Sequence, residues 1–90
     1  MVASMHTAAQ QELVRAIVGM RKKAGLSQRG LAELLGREQN YLGRIETGQR
    51  RVDLVELVQI CQACGADPNA EIPRLVRQIA ESVPRRRRRG

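Results

Sequence analysis

Aromatic residues are nearly absent from this 90-residue chain, which has one tyrosine, no phenylalanine and no tryptophan. A core must therefore be assembled from Leu, Ile, Val, Ala, Met and Cys, and a hydrophobic content of 42% supplies enough of them. Long apolar runs are missing too. None approaches the roughly 18–20 residues of a membrane span, which excludes a membrane-spanning helix. The opening MVASMHTAAQQ lacks a basic end followed by an apolar stretch, so a secretory signal is not expected and the chain reads as intracellular and cytoplasmic. Cysteine and histidine are scarce: Cys61, Cys64 and His6 cannot complete a four-ligand zinc site within one chain. The two thiols are expected to be buried small hydrophobes, with no metal and no cofactor. A lone His, no paired carboxylates in a defined motif and no phosphate-binding glycine loop leave no catalytic site to name, so an enzyme is not expected.

What is abundant is positive charge, and its location matters more than its total. The formal net charge is +7, of which Arg85 to Arg89 contribute five. Between positions 21 and 51, eight Lys and Arg face three Glu; between 52 and 84, two Arg face five acidic residues. A basic stretch beside an acidic one suggests one face for a polyanion and another for a different contact. The arginine run is expected to be disordered and to grip phosphates without regard to sequence.

Apolar periodicity is helical throughout, and no strand pattern appears. Thr7 followed by Gln10 fits a capping box opening a helix to Ala24, with Leu13, Ile17 and Met20 on one stripe and Val14 and Ala24 beside it. Gly25 stops it. Ser27 caps a short helix, Gln28 to Leu35, burying Leu31, Ala32 and Leu35, with Gly30 a mild flaw. After Gly36 and a brief turn comes Gln39 to Glu46, with Leu42 and Ile45 as its buried pair. Asp53 caps a fourth helix carrying Leu54, Leu57, Val58, Cys61 and Cys64 on one face and ending at Gly65. Asp67-Pro68 starts a fifth, whose stripe is Ile72, Leu75, Val76, Ile79 and Val83. Pro73 lies inside this segment and predicts a kink or a restart. The expectation is an all-α, five-helix bundle over residues 7–83, between a flexible N-terminus (1–6) and a disordered Arg-rich tail (84–90).

Two short helices separated by a Gly-containing turn have the layout of a helix-turn-helix. Over Arg21 to Pro68, RKKAGLSQRGLAELLGREQNYLGRIETGQRRVDLVELVQICQACGADP, the chain resembles the Xre family, that of lambda Cro and the phage repressor DNA-binding domains. The likeness rests on Gly25-Leu26-Ser27-Gln28, Leu31-Ala32, Gly36, Tyr41-Leu42 and Arg44-Ile45-Glu46-Thr47-Gly48 taken together. It implies that Gln39–Glu46 is a recognition helix in the major groove, with Gln39, Asn40 and Arg44 reading bases. Gln or Asn can bond adenine N6 and N7 with both ends of the amide, and Arg can bond guanine O6 and N7. Gln28 is the implied phosphate anchor at a helix start, and Arg29, Tyr41, Arg50 and Arg51 are further phosphate contacts.

The resemblance also implies an ion pair between Arg21 and Glu46 that holds the first helix to the third. Arg37 and Glu38 depart from the family pattern, which has a small apolar residue and a Ser or Thr cap there. Glu38 should repel phosphate or accept from a cytosine N4. The function implied is a sequence-specific, double-stranded-DNA-binding transcriptional regulator located at the nucleoid. The reading favours a homodimeric repressor of phage, prophage or restriction–modification controller type, pairing through Ile72, Leu75, Val76 and Ile79. The alternative is an antitoxin-like subunit that holds a basic toxin and binds DNA secondarily.

Overall fold

A computed structural model describes residues 7–83. Among these it has five α-helices and no strand: α1 (Ala8–Lys23), α2 (Gln28–Leu35), α3 (Tyr41–Glu46), α4 (Leu54–Ala63) and α5 (Pro68–Ser82). His6 and the Arg85–Arg89 run lie outside the described residues.

Local chemistry starts and stops most of these helices. The Thr7 hydroxyl accepts from the Gln10 N–H at 3.1 Å, and the Ser27 hydroxyl from the Gly30 N–H at 2.9 Å. Gly30 is less a flaw than a fit, because a Cβ there would come within 3.2 Å of the capping Ser27 Oγ. Gly36 ends α2 with φ at +69°, left-handed backbone that an L side chain adopts only with strain. Asp53 and Glu56 form a complete capping box for α4, each side chain accepting from the other's backbone N–H.

The core gathers one face of every helix. Ile17, Leu31, Ala32, Tyr41, Leu42, Ile45, Leu57, Ile60, Cys61 and Leu75 are all buried. Helix α5 closes the bundle against α1 and α4, while α2 and α3 pack on each other, with α4 against α2 and α1 against α3. Cys61 Sγ lies 3.7 Å from Met20 Sδ inside this core, and Cys64 is half-buried at the end of α4. Burial pushes both thiols above their usual range.

Several expectations are corrected. Helix α3 begins at Tyr41, two residues late, because Gln39 and Asn40 form the turn before it and no side-chain hydrogen bond caps it. Leu54 points outward and Ile60 inward, so the buried face of α4 is rotated from the one the spacing suggested. Pro73 does not restart α5, which runs unbroken past it. The backbone bond it forfeits is the one to the carbonyl of Asn69, in the first turn of the helix at an exposed residue. Ala24 is exposed rather than beside the α1 stripe. Of the stripe proposed for self-association, Leu75 belongs to the core, and Ile72 and Ile79 pack against it from a half-buried position; Val76 is open to solvent.

Candidate nucleic-acid interface

Helices α2 and α3 meet through apolar contacts, and two polar networks lock their relative position. The first is centred on Arg21, only 9% exposed near the end of α1. Its guanidinium donates to Glu46 through Nε at 2.8 Å and Nη2 at 3.1 Å, and through Nη1 to the Leu26 carbonyl at 3.0 Å. The bond to Glu46 holds the Arg21 pKa above its ordinary value against the opposing effect of burial. One side chain thus fastens α1, the α1–α2 turn and the end of α3. Gln28 joins from the start of α2, where Nε2 donates to Glu46 Oε1 at 2.8 Å. The amide expected to face phosphate is therefore turned toward a carboxylate.

The second network was not legible in the sequence. Arg37, in the turn, stacks over the Tyr41 ring at 4.4 Å, and Arg50, from the loop after α3, stacks over it at 4.9 Å. Both guanidiniums also pair with Glu56 of α4, Arg50 at 3.0 Å. Burial alone would raise the Glu56 pKa. The Arg50 hydrogen bond, the Asp53 N–H and the two positive charges outweigh it and lower that pKa to about 2. Tyr41, proposed as a phosphate contact, is 1% exposed and serves as the platform of this cluster. Burial raises its pKa, so it stays a neutral phenol at physiological pH. The capping spacing Asp53-x-x-Glu56 was a local clue to one member of the network. Nothing in the spacing announces that Arg37 and Arg50 converge on the same carboxylate.

Outside these braces lies the face itself. Gln39, Asn40 and Arg44 are exposed, while Tyr41, Leu42 and Ile45 from the same stretch are buried. Arg29 donates to Gln39 Oε1 at 3.1 Å, tying α2 to the turn. The Arg44 carbonyl accepts from the Gln49 and Arg50 N–H groups at 2.8 and 3.1 Å, and Thr47 Oγ1 donates to the Gly43 carbonyl at 2.8 Å. These bonds order the loop that carries Arg50 and the exposed Arg51.

Two short helices packed on each other and braced from behind, with Gln39 and Asn40 of the turn and Arg44 of α3 exposed beside Arg29 and Arg51, are the helix-turn-helix of a DNA-binding transcriptional regulator. Comparisons with known proteins agree. The helix-turn-helix domain family matches residues 12–75. An XRE-family like protein from Pseudomonas syringae pv. tomato is 33% identical, with a TM-score of 0.74 over 83% of this chain and 92% of its own. The clp gene regulator ClgR of Corynebacterium glutamicum is 26% identical, with a TM-score of 0.64 over 84% and 92%. The restriction–modification controller protein C.Esp1396I, at 17% identity and a TM-score of 0.71 over 86% and 98%, shares the fold. No curated protein matches in sequence. The chain belongs to the XRE family of helix-turn-helix proteins.

Proposed function

We infer that this protein is a homodimeric repressor that recognises a specific duplex sequence through Gln39, Asn40 and Arg44. The observation that carries the reading is the division within residues 39–46. The apolar side chains enter the core and Glu46 turns in to Arg21, while Gln39, Asn40 and Arg44 are exposed, as are Arg29 and Arg51. Such a surface lets a short helix enter the major groove while flanking cations meet phosphates. A protein of this kind represses by occupying a site that the transcription machinery needs. The restriction–modification controller and prophage regulator types both fit a domain of this size.

The test is binding of wild type, Arg44→Ala and Gln39→Ala to a selected site and to random duplex, followed by anisotropy at fixed salt. Each variant is expected to lose about 1–3 kcal/mol at the selected site and almost nothing on random duplex. Equal losses on both would show that these side chains contact phosphate rather than bases.

A further inference from the structure

The orientation of one amide narrows what the surface can read. Arg29 is the second residue of α2 and Gln39 lies in the turn; both are exposed, and Arg29 Nη2 reaches Gln39 Oε1 at 3.1 Å. Arginine has five N–H donors and no acceptor, so only the carbonyl end of the Gln39 amide can face it. The NH2 end is thereby turned away from Arg29, and the guanidinium keeps further N–H groups of its own. What the pair offers a partner is donors.

Adenine asks for something else. It is read by one amide that donates to N7 and accepts from the N6 amino group. The Gln39 oxygen keeps a second lone pair, but the guanidinium on the first is a positive charge that repels the N6 amino hydrogens. Guanine presents two adjacent acceptors, N7 and O6, which suit two donors. The neighbouring exposed side chain, Glu38, offers carboxylate oxygens, and cytosine N4 supplies a donor on the same base pair. Across its major-groove edge a G·C pair therefore shows acceptor, acceptor, donor, the complement of Arg29, Gln39 and Glu38. Gln28 does not substitute, because its Nε2 is given to Glu46; Asn40, one residue on, reads a neighbouring position in this arrangement.

We propose that Arg29 is a specificity-determining residue which, by holding Gln39 and acting beside Glu38, makes the protein select a G·C pair at the position Gln39 reads. This rests on the reading of the chain as a sequence-specific duplex binder. It replaces adenine, the base a free glutamine would suit, with guanine.

The experiment is enrichment of binding sites from a randomised duplex pool by the full-length wild type, Gln39→Ala and Arg29→Met, with thermal melts of all three. The position whose preference relaxes in Gln39→Ala marks the base pair in question. Wild type is expected to favour G·C over A·T there by about tenfold or more. In Arg29→Met the same position should shift toward A·T as the amide oxygen is released, with preferences elsewhere and melting unchanged. A wild-type preference for A·T at that position, or a G·C preference that survives Arg29→Met, overturns the proposal while leaving specific binding intact. A pool that yields no preferred sequence overturns specific recognition itself, and this proposal with it.

Discussion

At the scale of single residues, the most connected side chain is Glu56. It closes the Asp53 capping box and pairs with Arg37 and Arg50, which both stack on Tyr41. Its pKa is lowered to about 2 in the folded protein, below the ordinary carboxylate value of 4.5. A carboxylate lowered by folding stabilises the native state fully above its unfolded pKa, and that stabilisation fades as pH falls from about 4.5 toward 2. Allowing for solvent at the arginine ends, it should be on the order of 2 kcal/mol at neutral pH. Glu56→Gln is expected to be less stable than wild type by that amount at pH 7, with the gap closing below about pH 3. Urea unfolding at both pH values measures it. A gap that persists undiminished in acid would assign the effect to shape rather than charge.

At the scale of elements, identical substitutions should have opposite signs. Gly36 ends α2 at φ +69°, and Gly19 lies within α1; a Cβ at either position meets nothing within 4 Å. Space is therefore not the issue, and backbone conformation alone decides. Gly36→Ala forces an L residue into the left-handed region, at a cost of about 1–2 kcal/mol. Gly19→Ala removes a helix-interior glycine and should stabilise by about 0.5–1 kcal/mol. For a domain of this size the melting temperature should fall by about 4 °C or more in the first and rise by several degrees in the second. A Gly36→Ala variant that melts with wild type would mean the turn between α2 and α3 has another conformation. The same turn carries Arg37, Gln39 and Asn40, so its geometry sets the proposed recognition surface as well as the end of a helix.

At the scale of the molecule, the apolar side chains that the fold leaves outside bear on the proposed homodimer. Among the large hydrophobics of the described residues, Leu34, Leu54, Val55, Val76 and Val83 are exposed, and four of these lie on α4, α5 or the residue ending α5. Residues 21–51, which carry the proposed recognition surface, are net basic, whereas residues 52–84 are net acidic. A two-fold contact there would leave both recognition helices accessible, and each interfacial substitution would strike twice. Val76, 57% exposed, is the residue to change. Val76→Glu is expected to give a folded monomer with much weaker binding to a two-half-site duplex. Ile79→Glu, by contrast, should destabilise the domain, because Ile79 packs on the core. Sedimentation and circular dichroism separate the two outcomes. A wild type that stays monomeric at high micromolar concentration would rule the dimer out.

The sequence by itself determined what depends on near neighbours along the chain. Ser27, Gly36, Asp53 and Asp67-Pro68 mark helix ends because capping is settled within three or four residues. The stripes containing Ile17, Leu31, Leu42 and Leu57 show through helical periodicity. The Arg21 and Glu46 positions were legible only through the family resemblance, since nothing in a 25-residue separation identifies a partner. Tertiary structure decided the rest. A repeat says which residues share a face, but not which way that face turns when neighbours compete for it, so Leu54 ended outside and Ile60 inside. Tyr41 reads as an amphipathic surface residue until the assembled core and the Arg37 and Arg50 guanidiniums cover its ring. The direction of the Gln39 and Gln28 amides has the same origin, because each follows a partner brought up from another helix: a guanidinium that only donates and a carboxylate that only accepts.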